Sequence, residues 1–512
     1  MSDKTPIYRA PVCQVMEIPT GREDDGWQAI QGATGGTLTD WGIKLLRSGL
    51  DGHVNSVLVE PVYVCKDYRN LFSHFYSKKF CGRSAHCCRL HFFGTKELTL
   101  EDVIFDPEHV QADYLGFSVI EPVAERCLGR TMIDPRKIGL PGDRYFCLRT
   151  NTKVHIQGAD YFVEAFPYRS QSGEAIVCAH TALWSACRYL SERYPAYREL
   201  HPYDLIEMTG DANGRRVPYR GMTYSDYSTI FSGFGVHPAI IVPKGTDTKG
   251  MPSKDWSKDA EAFYDLYAYM ESGFPVLTSF GGHVVNIIGH TMSESIAPKH
   301  QPKRGFYNSA ALLKEYIVVD DNFFPYRCLG YEGTPRYFGA GGYSGMAHPP
   351  SIDNIVAAVV PLPEKVYLQP AKARHLAYAF LNSPGACPLI EETVAELGLS
   401  PNSLVARQFL TSASAFQRRK REYFSQSGDE LSSFPIFLNL PHFVWIVEIS
   451  ALDLYKGKQC FGELVVDATV GPHEWEPIYT RIGRTVIVGG RSQRVDDACM
   501  VYPQYTHNLG RH

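Results

Sequence analysis

A cysteine at the start of a predicted helix is the first residue of this chain with a clear chemical use. Cys178 opens the run Cys178–Tyr194, in which apolar residues recur at helical spacing before Pro195. The N–H groups and the dipole at a helix N-terminus stabilise a thiolate, the form of cysteine that attacks a carbonyl carbon. We therefore predict that Cys178 is a nucleophile.

A histidine and a carboxylate later in the chain could complete this chemistry. His283 follows two glycines and opens the strand-like run HVVNIIGH, so its ring would be held in place and still be reachable. Asp320 closes the apolar run IVVD, where a carboxylate would orient the imidazole and stabilise its protonated form. Asp321 or Asn322 could take the role of Asp320, because a shift of one residue along a strand reverses the face on which a side chain lies.

Attack on a carbonyl also requires hydrogen-bond donors for the oxyanion that forms. Gln171 lies in the loop-like segment SQSGEAIV before Cys178, and its amide could donate to that oxygen together with the N–H of Cys178. Two nearby histidines are predicted to lie elsewhere: His180 points to another side of the helix, and His290 faces the opposite side of the strand from His283. Cys187 is predicted to be a core residue.

The elements that must position these residues divide the chain into three segments. Turn-forming residues at Asp134–Asp143 and the run VVPLPEK near Pro361–Pro363 suggest segments 1–150, 151–365 and 366–512. In the middle segment, helices are followed by the strand-like runs PVLTSF, HVVNIIG and EYIVVD, which is typical of an α+β fold. The flanking segments read as mixed α/β.

Features of both flanking segments lead to specific predictions. The first segment has closely spaced aromatic residues, and we predict that part of this surface packs against the middle segment: Tyr63, Tyr68, Phe72, Phe75 and Tyr76. In the third segment, FVWIVEI and GELVVDAT are predicted to be paired strands. The basic cluster Arg418–Arg421 is predicted to be a solvated helix face.

The order of these residues resembles that of the papain-like cysteine peptidases, and in particular the C39-like family that removes double-glycine leaders from bacteriocins. The pattern is a glutamine before a cysteine-led helix, then Gly-His at a strand start, then Asp after an apolar strand. It covers about residues 171–321. The chain departs from it in three places: Gln171 lies seven residues before Cys178 instead of six, Ala179-His180-Thr181 replaces the usual Gly-Pro after the cysteine, and Asp321-Asn322 replaces the usual Pro after Asp320.

The resemblance implies an α+β papain-like core, in which a helix-led nucleophile packs on an antiparallel sheet between mixed α/β extensions. It implies a thiol peptidase that cleaves peptide or isopeptide bonds of a protein or peptide substrate, with Cys178, His283, Asp320 and Gln171 at the site and no metal or organic cofactor. A deamidase or a transglutaminase would use the same thioester chemistry. The alternative from another class is a non-catalytic papain-fold scaffold that binds a protein partner.

A second group of residues could bind zinc instead. The run CGRSAHCCRLH holds Cys81, His86, Cys87, Cys88 and His91 within eleven positions, but it has no Cys-x2-Cys pair and no second cluster at a suitable distance. The simpler interpretation is a strand along which Cys88, Leu90 and Phe92 alternate. A zinc-binding adaptor remains the third hypothesis.

Composition excludes several classes of protein. The 512 residues are 44% hydrophobic and 21% charged, which argues against a disordered chain. The net charge of -4 provides no large positive field for a nucleic-acid backbone. No apolar run is long enough to span a bilayer, and no signal peptide is recognised at the N-terminus. With 13 scattered cysteines, we expect reduced thiols and a cytoplasmic protein without membrane insertion.

Overall fold

The structure, a computed structural model, describes residues 12–139, 145–209, 221–243, 260–296, 302–303, 305–331, 350–471, 477–506 and 508. It is a mixed α/β chain whose three large sheets are almost entirely antiparallel. Among the described helices, none combines the length and the apolar character that a bilayer crossing requires.

The N-terminal segment forms a five-stranded antiparallel sheet flanked by helices. Its strands are β1 (Gln14–Glu17), β2 (Ser56–Tyr63), β3 (Cys87–Phe93), β4 (Tyr114–Ile120) and β5 (Leu128–Ile133), and its helices are α1 (Glu23–Ala33), α2 (Asp40–Leu50), α3 (Lys66–His74), α4 (Leu100–Phe105) and α5 (Pro107–Val110). The strands pair in sequence order, β1-β2-β3-β4-β5. All seven residues of β3 are buried, which confirms the predicted strand through Cys88, Leu90 and Phe92.

The middle segment contains helices on a second antiparallel sheet. Its elements are β6 (Tyr145–Cys147), β7 (Thr150–Ile156), β8 (Ala159–Ala165), α6 (Cys178–Arg193), α7 (Pro202–Met208), α8 (Tyr224–Phe234), β9 (His237–Ile241), α9 (Ala260–Glu271), β10 (Val276–Ser279), β11 (Val284–Met292), β12 (Tyr307–Asn308), β13 (Leu313–Val319), β14 (Arg327–Leu329) and β15 (Ala357–Leu362). The sheet order is β14-β13-β11-β10-β15-β9, and β6 also pairs with β11. Strands β7 and β8 form a separate hairpin.

Local signals account for the ends of these elements. Helix α8 begins after Thr223, whose side chain accepts a hydrogen bond from the N–H of Asp226, and it ends at Gly235 in the left-handed conformation. Strand β11 is preceded by Gly281 and Gly282, which both have positive φ angles. A two-residue hairpin between β10 and β11 requires such angles, and glycine adopts them without a steric penalty.

The C-terminal segment forms the third sheet. Its elements are α10 (Pro370–Leu381), α11 (Cys387–Glu396), β16 (Leu404–Ser412), α12 (Ala413–Ser427), α13 (Phe434–Phe437), β17 (Phe443–Ala451), α14 (Leu452–Lys456), β18 (Gln459–Cys460), β19 (Gly462–Asp467), β20 (Pro477–Ile482), β21 (Thr485–Val488), β22 (Arg491–Arg494) and β23 (Tyr502–Pro503). The order is β12-β16-β17-β19-β20-β21-β22, in which β12 and β16 are parallel. Strands β17 and β19 pair as predicted.

The interpretation of Arg418–Arg421 as a solvated helix face is wrong for one of its members. The cluster lies on helix α12, where Arg418 and Arg421 are exposed. Lys420 is buried and lies 2.6 Å from the carboxylate of Glu463. This lysine faces the sheet because an opposite charge is present there to compensate for its burial.

Helix α6 lies inside a core that the N-terminal and middle segments share. Every residue from Ala179 to Leu190 is buried, and apolar residues of α6 belong to the same cluster as those of strands β2 to β5. Asp67 of helix α3 accepts a hydrogen bond from Arg188 at 2.8 Å and one from the indole of Trp184 at 3.3 Å. The predicted packing of the N-terminal aromatic surface is therefore confirmed, with Tyr68 and Tyr76 fully buried in this cluster.

Candidate active site

The thiol of Cys178 lies at the first position of α6 and is partly exposed. The loop before it is held by Ser172, whose Oγ accepts hydrogen bonds from the backbone N–H groups of Glu174 at 3.3 Å, Ala175 at 3.0 Å and Ile176 at 3.2 Å. The first N–H groups of a helix have no partner within it. The backbone around Cys178 is therefore fixed, and its N–H can serve a ligand.

His283 comes immediately after the glycine turn and before strand β11. The N–H of Phe280 donates to its carbonyl oxygen at 2.9 Å, which closes the turn. Two residues into the strand, the amide of Asn286 donates to the carbonyl oxygen of Ala182 in α6 at 2.8 Å. This buried contact fixes strand β11 against helix α6, so the histidine and the thiol are held by elements that cannot shift independently.

The predicted carboxylate is in contact with the predicted base. Nε2 of His283 lies 3.0 Å from Oδ1 of Asp320, which follows the last residue of β13, and both side chains are buried. The thiol of Cys178 lies near the ring, and its interaction with His283 is one of the causes that raise the pKa of this histidine. Since Nε2 faces the carboxylate, Nδ1 is the nitrogen left for the thiol. The structure thus brings Cys178, His283 and Asp320 together in one series, in which His283 and Asp320 are hydrogen-bonded.

The charges around His283 favour its protonated form. Burial by itself lowers the pKa of His283, but the charge of Asp320, hydrogen bonds to Asp320 and Cys178, and the charge of Asp321 hold that pKa well above its ordinary value of 6.5. A histidine in this state can keep a proton taken from the thiol.

Comparison of the chain with family models, curated proteins and solved structures gave no match.

Asn322 connects the series to the rest of the molecule. Its backbone N–H donates to Oδ1 of Asp320 at 2.9 Å, and its side-chain amide donates to the same oxygen at 3.3 Å. Its Oδ1 accepts hydrogen bonds from Arg126 at 2.6 Å and from Gln171 at 3.5 Å. Gln171 is therefore placed on the rim of the site, with its amide directed to the loop that follows Asp320.

Asp321 is buried beside the series without joining it. Among the described residues, neither of its carboxylate oxygens has a hydrogen-bond partner, and the nearest cation is Arg126 at 3.9 Å. Burial and the neighbouring charge of Asp320 raise the pKa of Asp321 to about 7, against the weaker opposing effects of His283 and Arg126. Asp320 rather than Asp321 therefore makes the contact that orients the histidine.

The same residues form the one group in the described part of the chain whose donor atoms could hold a metal ion. Ligand atoms of His283, Asp320 and Asp321 all lie within 4.8 Å of one another. Two carboxylates and an imidazole suit a divalent cation. A metal there would take Nε2 of His283 away from its hydrogen bond with Asp320.

The run Cys81–His91, which the structure describes throughout, does not bring potential zinc ligands together as the zinc hypothesis requires. Cys81 and His86 are exposed, whereas Cys87 and Cys88 lie inside strand β3. Both ring nitrogens of His91 have partners at 3.0 Å, Glu60 and the hydroxyl of Tyr114, and burial lowers the pKa of this histidine to about 4. Cys87, Cys88 and His91 are core residues of the N-terminal sheet.

His180, His290 and Cys187 make contacts away from the thiol of Cys178 and the ring of His283. His180 is buried, burial lowers its pKa to about 3, and its Nδ1 accepts from the N–H of Val177 at 3.4 Å. His290 contacts Glu271 and Tyr267 of helix α9. Cys187 is fully buried. None of these contacts includes Cys178 or His283.

Two residues of the site were missed by the sequence analysis. Ser172 sits in a Ser-Gly-Glu turn, and such a turn is a known place for a hydroxyl to accept backbone N–H groups. Arg126 had no local signal, because it lies between β4 and β5 and is 196 residues away from Asn322 in sequence.

Proposed function

We propose that this protein is a thiol hydrolase with a papain-like catalytic core that cleaves peptide or isopeptide bonds through Cys178, His283 and Asp320. The observation that carries the proposal is the series of Cys178, His283 and Asp320. A partly exposed thiol at a helix start lies near a buried imidazole, and Nε2 of that imidazole faces a buried carboxylate. A helix-led thiol packed on an antiparallel sheet is also the arrangement that the resemblance implies.

The chemistry proceeds in two acyl transfers. Cys178 attacks the carbonyl carbon of the substrate, and its proton passes to Nδ1 of His283. The same proton is then given to the leaving amine as the thioester forms. In the second half, His283 takes a proton from water, which attacks the thioester. The C–S bond breaks, the acid is released, and the proton on His283 returns to the sulfur of Cys178. Asp320 holds the ring in the required tautomer and stabilises its charged form.

The oxyanion would be bound by the N–H of Cys178 and by the amide of Gln171. A side-chain amide has two N–H donors. One of those in Gln171 is directed to Asn322, so the other is left for a substrate oxygen. The loop from Gln171 to Cys178 is ordered by Ser172, which lets both donors meet the substrate without reorganisation.

The first experiment measures the reactivity of the thiol. Wild-type protein is treated with iodoacetamide at pH 7, and the modified fraction of each cysteine peptide is followed by mass spectrometry. Cys178 should react faster than Cys81, which is exposed and serves as an internal reference. The His283→Ala variant should abolish that advantage without changing the rate at Cys81. Equal rates at the two cysteines in the wild type would contradict the proposal.

The second experiment identifies the acceptor of the acyl group. A peptide library is incubated with the wild type or with Cys178→Ala, and new termini and mass changes are measured. New termini that require Cys178 indicate a peptidase. Conversion of glutamine to glutamate, or coupling to an added amine, would indicate a deamidase or a transglutaminase. Identical peptide profiles for both proteins would favour the non-catalytic scaffold.

A further inference from the structure

A cavity of about 580 Å³ lies at the opposite end of helix α6 from Cys178. It is enclosed by the last turn of α6, the end of strand β16 and the first turns of helix α12. Helix α6 has 16 residues, which at about 1.5 Å per residue separates the two sites by roughly 20 Å. The volume is that of a typical small-molecule site. This cavity therefore does not belong to the site of Cys178.

The cavity carries an excess of positive charge. Arg193 comes from α6, and Arg418 and Arg419 come from α12, whereas Glu422 is the one acidic residue among the lining side chains that the structure describes. Both helices therefore place arginines in the lining of the same cavity. Burial raises the pKa of Tyr505 in the cavity wall, while the nearby charges of Arg193 and Arg418 act in the opposite direction.

The rest of the lining is suited to an apolar body. Aromatic side chains from both sides face the space: Tyr194, Tyr197, Phe274 and Phe443. Asn508, which is 6% exposed, adds a polar group to the wall. Its Oδ1 has no hydrogen-bond partner among the described residues, although its amide nitrogen donates to the carbonyl oxygen of Glu271. The aromatic side chains therefore provide the apolar part of the lining.

We propose that this cavity binds a small organic anion, with an aromatic or aliphatic body that carries a carboxylate or a phosphate. Guanidinium groups bind such anions through two parallel hydrogen bonds, which suits Arg418 and Arg419 to this role. Arg193, whose guanidinium donates to the hydroxyl of Tyr189, adds positive charge to the same wall. The body of the ligand packs between Tyr194 and the aromatic side chains across the cavity.

The test uses 1-anilinonaphthalene-8-sulfonate, whose fused rings and sulfonate match the aromatic and the cationic parts of the lining. We expect saturable fluorescence with one probe per chain. Arg418→Glu should raise the dissociation constant at least tenfold, which corresponds to about 1.4 kcal/mol. Arg421→Glu is the matched control, because it makes the same charge change on the same exposed helix but lies outside the cavity lining. The control should leave the dissociation constant within twofold.

Two further measurements separate binding in the cavity from adsorption elsewhere on the surface. Tyr194, which is 40% exposed, lies on the other wall, and Tyr194→Ser should also weaken the probe. The uncharged N-phenyl-1-naphthylamine should bind equally to the wild type and to Arg418→Glu. The proposal is overturned if the probe does not saturate, if Arg418→Glu and Arg421→Glu weaken it equally, or if the uncharged probe depends on Arg418. Thermal unfolding of each variant should match that of the wild type.

Discussion

Replacing Asp320 and Asp321 one at a time separates the residue that orients His283 from its neighbour. Asp320→Asn removes the carboxylate that lies 3.0 Å from Nε2 of the buried ring. The amide keeps its size but can present its NH₂ group to that nitrogen and so favour the wrong tautomer. Asp321→Asn leaves this hydrogen bond in place, because neither carboxylate oxygen of Asp321 has a hydrogen-bond partner among the described residues.

The expected difference in turnover between the two variants follows from the hydrogen bond between His283 and the charged carboxylate of Asp320. A hydrogen bond to a charged group contributes about 1.5–3 kcal/mol. At about 1.4 kcal/mol per factor of ten, its loss corresponds to roughly 10–150-fold in the population of the reactive state. We therefore expect Asp320→Asn to lower turnover by about a hundredfold or more, since the tautomer is also affected, and Asp321→Asn to lower it less than fivefold.

Alkylation of Cys178 by iodoacetamide tests the difference between Asp320→Asn and Asp321→Asn without a known substrate. The rate at Cys178 divided by that at Cys81 in the same sample cancels differences in reagent concentration and reaction time. Asp320→Asn should lower this ratio at least tenfold. The decrease should be largest at pH values at which only the wild type keeps His283 protonated, because Asp320 holds the pKa of His283 above its ordinary value. Near-equal ratios for the two variants would refute the orienting role, and a larger loss in Asp321→Asn would mean that the assignment is shifted by one residue.

Further predictions concern stability, folding and metal content. Asp321→Asn should stabilise the protein at pH 8 by up to roughly 4 kcal/mol. The raised pKa of the aspartate means that wild-type stability is full below about pH 4 and declines as pH rises through about 7. Denaturant unfolding at pH 4 and pH 8 would show a gain that grows with pH, and a constant gain would contradict it. Arg126→Gln should slow alkylation of Cys178 severalfold, because Asn322 loses its hydrogen bond from the N-terminal segment; an unchanged rate would show that this contact is dispensable. Residues 1–150 expressed alone should fail to form a stable domain, since their core is shared with helix α6; a cooperative thermal transition in that fragment would disprove this. Purified protein should contain less than 0.1 zinc per chain by elemental analysis, and chelators should leave alkylation of Cys178 unchanged; stoichiometric zinc would reopen the metal hypotheses.

The elements with a regular apolar period were predictable from the sequence. Helix α6 was placed to within one residue, and the paired strands β17 and β19 were recognised from their apolar runs. Strand β16 was missed because Arg407 and Gln408 interrupt its apolar pattern. Arg407 is buried in this strand, where ion pairs with Glu271 at 2.6 Å and with Glu448 at 2.9 Å compensate for the burial of its charge. Because these partners are distant in sequence, no local pattern reveals them.

In the candidate site too, residues with a local sequence signal were predicted, and a residue placed only by contacts between distant segments was not. Cys178, His283 and Asp320 each stand at the end of a recognisable element, so their residue types and order selected three residues that the structure places close together. The choice between Asp320 and Asp321 depended on the exact end of strand β13, which apolar periodicity does not define. Arg126 could not be found, since its contact with Asn322 exists only after two separate segments have folded together.

The burial of helix α6 on all sides has a kinetic consequence for the thiol that it carries. A surface helix frays from its ends, but twelve consecutive residues of α6 are enclosed, from Ala179 to Leu190. Their amide hydrogens should exchange with solvent only when the surrounding core opens as a unit. The reactivity of Cys178 should then disappear in a single step with unfolding. A destabilising substitution anywhere in the shared core would change the fraction of active molecules and leave the rate constant of each intact molecule unaltered.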